Sequence, residues 1–241
     1  MRFFVGVHHP HIAGQFESAF ISINALRRRK GNFAVGDWIL DSGAFSTILR
    51  HGGFPEPPEI YAQHIRRWSR NGNLLAAVAQ DYMCEADMLE RTGLTVADHQ
   101  RLTIERYDAL LRCDTGGVYI MPVLQGYAPE EYVAHLHAYG DRLAYGAWVG
   151  VGSVCKRNRN AGTIETVLRA IAAVRPDLRL HGFGIKLTAL RSGVVRHLLH
   201  SADSMAWSYA ARKQGRNGND PREAHRFVHH ITTMPVQRSI F

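Results

Sequence analysis

The chain has 241 residues, 46% of them hydrophobic and 21% charged, a balance that fits a folded globule and excludes a low-complexity or disordered polypeptide. Its formal net charge is +8, with 29 Lys and Arg against 21 Asp and Glu, which suits a polyanionic partner as well as plain solubility. Three scattered cysteines, Cys84, Cys113 and Cys155, exclude a disulfide framework and a Cys-rich zinc site, and no 18-residue apolar run exists to form a membrane span. Met1–Val7 is too short for a signal peptide, so a cytoplasmic location is expected.

Seven short apolar runs, each ending in polar or glycine-rich sequence, recur along the chain. They are FFVGVHHP (3–10), DWILDSG (37–43), LLAAVAQDY (74–82), VYIMPVLQG (118–126), AWVGVGS (147–153), LRLHGFGIK (178–186) and HSADSMAWS (200–208). Continuous apolar runs suit strands buried on both faces of a parallel sheet. Helical patterns lie between them. Residues 58–68 space Ile60, Ile65 and Trp68 along one face, and residues 96–112 carry Leu102, Tyr107 and Leu110 among charges. Residues 129–140 open with Pro and acids and close on Gly, as a helix should. Residues 163–174 begin with a Thr cap signal, and 187–199 read as a further helix.

Alternating strands and helices predict a (β/α)8 barrel of the TIM type, in a single domain over residues 1–241. The eighth strand is expected after residue 208, weak and distorted, followed by a helix over 220–231 with Asp220 as its cap and Pro221 in its first turn. A doubly wound open sheet is the alternative.

Chemistry in such barrels collects at the C-terminal strand ends. Those ends carry His8 and His9, Asp41-Ser42-Gly43, Gln80-Asp81, Gln125-Gly126, Gly150 to Ser153, Lys186 and Asp203. Each alone reads equally well as a helix cap or loop residue; together, on separate strands, they point to one site. No phosphate-loop, dinucleotide or HExxH signature is present. HHPH (8–11) is the densest histidine cluster, but adjacent strand residues point to opposite faces, so no metal is expected and His8 stands as a candidate site residue.

At these strand ends the chain resembles the tRNA-guanine transglycosylase superfamily, and within it the DpdA-like branch that modifies DNA with deazapurines. The segments that carry the resemblance are DSGAFS (41–46), AQDYMCE (79–85), VLQG (123–126), GVGS (150–153), HGFGIK (181–186) and SADSMAWSYAAR (201–212). Two departures are visible. No cysteine follows Cys155, so the zinc subdomain of the tRNA enzymes is absent, which favours the compact DNA branch. Aligned on its final arginine, the last segment places Ala206 where those enzymes carry a nucleophilic aspartate; Asp203 is its one acid.

The resemblance implies base exchange: guanine leaves C1′ of a nucleotide, and a free 7-substituted 7-deazaguanine replaces it. It implies Asp203 as nucleophile and Asp41 as general acid/base, with no cofactor. Asp81 would accept from the guanine N1–H and 2-amino group, with the Gln125 amide or a Gly150–Gly152 N–H on O6. Phe45 or Tyr82 would stack on the base. Ser42, Gly43, Gly126, Lys186 and His8 complete the expected pocket. The base would have to leave the duplex stack, with basic residues on the flanking phosphates. Three basic segments are candidates, RRRK (27–30), CKRNR (155–159) and RKQGR (212–216), and the last two are preferred as strand-end neighbours: Lys156, Arg157, Arg212, Lys213 and Arg216. The expected partners are DNA, the free base and other proteins of a DNA-modification system. RNA exchange, a small-molecule barrel with Asp41, Asp81 and Asp203 on a divalent cation, and a non-catalytic nucleic-acid-binding barrel are the alternatives.

Overall fold

The computed structural model describes residues 1–157 and 161–235. Arg159 of the CKRNR segment and the last six residues lie outside the described residues. Nine parallel strands form one sheet. They are β1 (Arg2–Gly6), β2 (Ser18–Ser22), β3 (Asp37–Asp41), β4 (Asn73–Val78), β5 (Ile120–Met121), β6 (Val123–Leu124), β7 (Trp148–Val151), β8 (Arg179–Gly182) and β9 (Leu199–Ser204). Their spatial order is β5-β4-β3-β2-β1-β9-β8-β7-β6.

The two ends of that order are successive pieces of one run, interrupted at Pro122. β5 pairs with β4 and β6 with β7, and proline has no N–H for the ladder. The sheet is therefore a nearly closed TIM-type barrel with one unsealed seam. The doubly wound alternative is ruled out, because β1 pairs with both β2 and β9 and the order returns on itself.

All seven predicted strands are present, but the eighth unit is misplaced in the sequence reading. No strand follows β9 among the described residues; the additional strand is β2, reached from β1 through a 3-10 turn at Pro10–Gln15. The distortion sits at Pro122 instead of a C-terminal closing strand.

The helices are α1 (Ala44–His51), α2 (Pro58–Trp68), α3 (Ala86–Thr92), α4 (Val96–Leu111), α5 (Pro129–Tyr139), α6 (Ala161–Val174), α7 (Leu187–Leu190), α8 (Gly193–Leu198), α9 (Ala206–Lys213) and α10 (Pro221–Thr233). Thr95 and Asp98 close a capping box on α4. The single helix predicted over 187–199 is two, because the Ser192 hydroxyl accepts from Val195 N–H and starts α8 anew. The helix predicted from Thr163 begins at Ala161. α10 follows the expected pattern, with the Asp220 carboxylate on Arg222 N–H and Pro221 in the first turn. Among the described residues, no helix is long and apolar enough to cross a membrane.

Strand alternation sorts the core into two layers. Trp38 and Leu40 of β3 face the helices, while Ile39 joins Phe4, Ala76, Val78, Met121, Val123 and Trp148 inside the barrel. The inward row continues upward. On β3 it runs from Ile39 to Asp41; on β9, with Ala202 facing outward, it holds Ser201 and Asp203; from β6 it runs from Val123 to Gln125. Period-two geometry thus delivers these polar side chains to the barrel mouth.

Candidate active site

A cavity of about 270 Å³ opens at the C-terminal mouth of the barrel. Asp41, Asp81 and Asp203 all line it, from the ends of three different strands.

Asp41 is the last residue of β3, paired in register with Ser22 of β2. Gly43 N–H donates to its Oδ2 at 3.1 Å. That turn requires Gly43 at φ 71°, where a Cβ would stand 2.4 Å from the Asn24 amide. Burial lifts the Asp41 carboxyl to about 6; a hydrogen bond from Ser22 opposes the rise, and the negative charge of Asp203 adds to it.

Asp81 is buried, and the Gln125 side-chain N–H donates to its Oδ2. Gln125 Oε1 lies 2.7 Å from the Ser153 hydroxyl, which lies 3.0 Å from Glu85 Oε2 and accepts from Cys84 N–H. Ser153 is the one non-glycine residue in the left-handed region among the described residues, at φ 53°. Burial, followed by the charge of Asp41, pushes the Asp81 carboxyl up to about 7.

Asp203 is buried beside His181, whose ring is fully enclosed. His181 Nε2 is 3.3 Å from Asp203 Oδ1, which also accepts from Gly184 N–H at 3.1 Å. Behind it, His181 Nδ1 is 2.9 Å from the Ser201 hydroxyl, which accepts from the Trp148 indole N–H at 2.8 Å.

Of the other expected pocket residues, Gly43, Phe45, Gln125 and Gly152 line the cavity. One of the two N–H groups of the Gln125 amide, however, is engaged by Asp81. The expected Gly150 and Gly152 donors are corrected. Both N–H groups are spent in the sheet, on Pro122 O at 2.8 Å and Leu124 O at 2.9 Å. Their missing side chains make room for protein: a Cβ on Gly150 would stand 2.4 Å from Phe183, and one on Gly152 2.2 Å from Gln125.

Several expected residues lie away from the cavity wall. Ser42 is buried with its hydroxyl unpartnered among the described residues. Tyr82 packs between Phe54 and His99. Gly126 packs under Tyr132. Lys186 is exposed at the N-cap of α7, and His8 sits 3.0 Å from the Ser208 hydroxyl, against Trp207. Ala206, at the expected nucleophile register, is the first residue of α9.

The preferred basic residues are mostly engaged. Lys156 pairs with Asp87. Arg157 holds the carbonyls of Ser153 and Tyr127. Arg216 grips Glu223 through two nitrogens, at 2.7 and 3.1 Å. Arg212 and Lys213 are exposed on α9.

The sequence reading missed His181, Glu85, Ser22 and Phe183. Strand parity was the available signal for His181; Ser22 lies on β2, which the sequence pattern does not announce, and Glu85 and Phe183 lie in loops, marked only by their places in AQDYMCE and HGFGIK. Among the described residues, no group of three His, Cys, Asp or Glu side chains stands close enough to hold a metal ion.

A comparison with curated proteins found no match. A comparison with protein families matched residues 1–228 to the model described as DeoxyPurine in DNA protein A. That match spans every strand of the barrel and all three cavity aspartates, and the chain belongs to the DpdA family.

Proposed function

We propose that the protein replaces guanine in DNA with a 7-substituted 7-deazaguanine by two displacements at C1′, through a covalent aspartyl-sugar intermediate. Family membership supports the coarser part, a transglycosylase-type enzyme of deazapurine modification in DNA. The observation that carries the finer part is the pairing of Asp41 and Asp203 in one cavity, with Asp41 held near 6.

In the first displacement an Asp203 oxygen bonds to C1′ as the C1′–N9 bond breaks. The electron pair leaves with guanine, which takes its proton from Asp41. In the second, Asp41 removes the N9 proton of the incoming base, N9 bonds to C1′, and the aspartyl ester breaks. Both carboxyls return to their starting states, the configuration is retained and the strand is never cut. A proton carrier near pH 6 can both give and take a proton at neutral pH, which the two half-reactions demand of Asp41.

In its ionised form, Asp81 is the acceptor for the guanine N1–H and 2-amino group. Gln125 serves it by orienting its carboxylate. The single cavity is used by both bases in turn, so the leaving and entering purines share these contacts. Mass spectrometry of nucleosides from DNA incubated with the protein and a 7-deazaguanine base tests this function. The same assay on RNA of equal sequence tests the RNA alternative.

A further inference from the structure

We infer that a basic groove beside the cavity holds phosphates of the strand that carries the target base, with Arg28 and Arg50 as its cationic contacts. This rests on the DNA reading above and adds where the strand lies.

The groove, about 590 Å³, runs between the turn that follows β2 and helix α1. Ser46 lines both this groove and the catalytic cavity, so a base in one and its backbone in the other are continuous. β2 and β3 both end at the mouth, which places the groove on the catalytic face of the barrel.

Its charge is one-sided. Arg27, Arg28 and Arg50 line it against a single acid, Glu56. Arg27 Nη1 occupies Glu56 at 2.6 Å and cancels it. Arg28 and Arg50 are exposed, and among the described residues neither guanidinium has a hydrogen bond or ion pair. A phosphate can take such groups with two parallel bonds and no existing pair to break. Lys156, Arg157 and Arg216 would each have to release a partner first.

The platform is also fixed in place. Arg91 donates to the carbonyls of Leu49 and Arg50, both at 2.9 Å, and ties the end of α1 down. Asn24 bonds the Ser46 hydroxyl at 2.7 Å on the side nearer the cavity. The geometry presents two unpaired guanidiniums on a braced helix and turn, with a polar floor leading to the site.

The test is the double variant R28A/R50A, with DNA affinity measured across a salt series. Affinity should fall roughly tenfold or more, and the log–log salt slope should flatten by roughly 1.5 to 2 units, because two phosphates are no longer neutralised. R28K/R50K should keep most of the slope, and K156A/R157A should leave it unchanged. A methylphosphonate at one phosphate flanking the target guanine should weaken wild-type binding and cost R28A/R50A little more. In exchange assays the KM for DNA should rise while kcat and the KM for the free base hold.

An unchanged slope in R28A/R50A, a slope reduced instead in K156A/R157A, or an equal methylphosphonate penalty in both proteins would overturn the groove. Exchange activity is a separate readout. Wild type that binds DNA but exchanges no base contradicts the proposed reaction, while the slope and methylphosphonate results still decide the groove.

Discussion

His181 Nε2 stands 3.3 Å from Asp203 Oδ1, at the end of a hydrogen-bond chain that begins at the indole of Trp148. An indole N–H only donates, so the Ser201 hydroxyl must accept from it. Ser201 can then give its own proton to His181 Nδ1, which leaves the imidazole N–H on Nε2, aimed at the carboxyl group of Asp203. With Gly184 N–H on the same oxygen, Oδ1 is held by two donors, and in the proposed reaction the other oxygen is the one that attacks C1′.

His181 is therefore a positioning residue in the proposed reaction. His181→Ala should lower kcat by roughly 10²-fold, the usual cost of a displaced reacting group, with the KM for DNA little changed. His181→Gln, whose amide can still donate to Asp203, should recover much of that loss. Steady-state exchange kinetics on folded variants would check both. A loss of stability in His181→Ala, with normal kcat for the folded fraction and no rescue by Gln, would reduce His181 to a packing role.

The two aspartates make different demands on an amide replacement. A sugar ester needs a carboxylate oxygen, so Asp203→Asn should form no covalent protein–DNA adduct with any substrate. Asp41→Asn should still form the adduct when the leaving base needs no proton, while exchange of ordinary guanine falls by roughly 10²–10⁴-fold. Denaturing gels and peptide mass spectrometry would locate the adduct. An ester mapped to Asp41 would exchange the two roles.

Asp81 makes stability depend on pH in a predictable direction. In the folded protein its carboxyl holds a proton up to about pH 7, against an ordinary value of 3.8 when exposed. Between these values the folded state binds more protons than the unfolded one, so stability falls as pH rises. The full penalty, on the order of 4 kcal/mol, is present above pH 7 and absent below pH 4. Asp81→Asn should thus match wild type near pH 4 and exceed it increasingly up to pH 8. Urea unfolding across that range would show it; parallel stability curves would mean that Asp81 is ionised at no cost. The same variant should lose use of the purine base far more than DNA affinity.

Much of this arrangement is legible in the chain itself. Seven strands announce themselves because each is a continuous apolar run closed by a polar or glycine-rich turn, and the three aspartates follow from their places at strand ends. β2 is hidden because its apolar residues, Ala19 to Ile21, are bracketed by serines, and a 3-10 turn, not a helix, leads into it. His181 is concealed for a related reason: it lies inside β8 instead of at its tip, and only the inward parity of the strand marks it. Gly150 and Gly152 read as open backbone, yet the space beside them belongs to Phe183 and Gln125, from other elements. Basic segments are equally deceptive, because a run of Lys and Arg does not reveal that Asp87 or Glu223 lies opposite.

The proposed reaction is base exchange in DNA at the cavity of Asp41, Asp81 and Asp203. Its most direct test is nucleoside mass spectrometry on duplex and single-stranded DNA incubated with the protein and isotope-labelled 7-deazaguanine bases. A labelled 7-deazaguanine deoxynucleoside, an equal amount of released guanine, uncut strands, and loss of all product in Asp203→Asn are expected. Guanine released without label entering the DNA, or label entering DNA at the wild-type rate with Asp203→Asn, would contradict it.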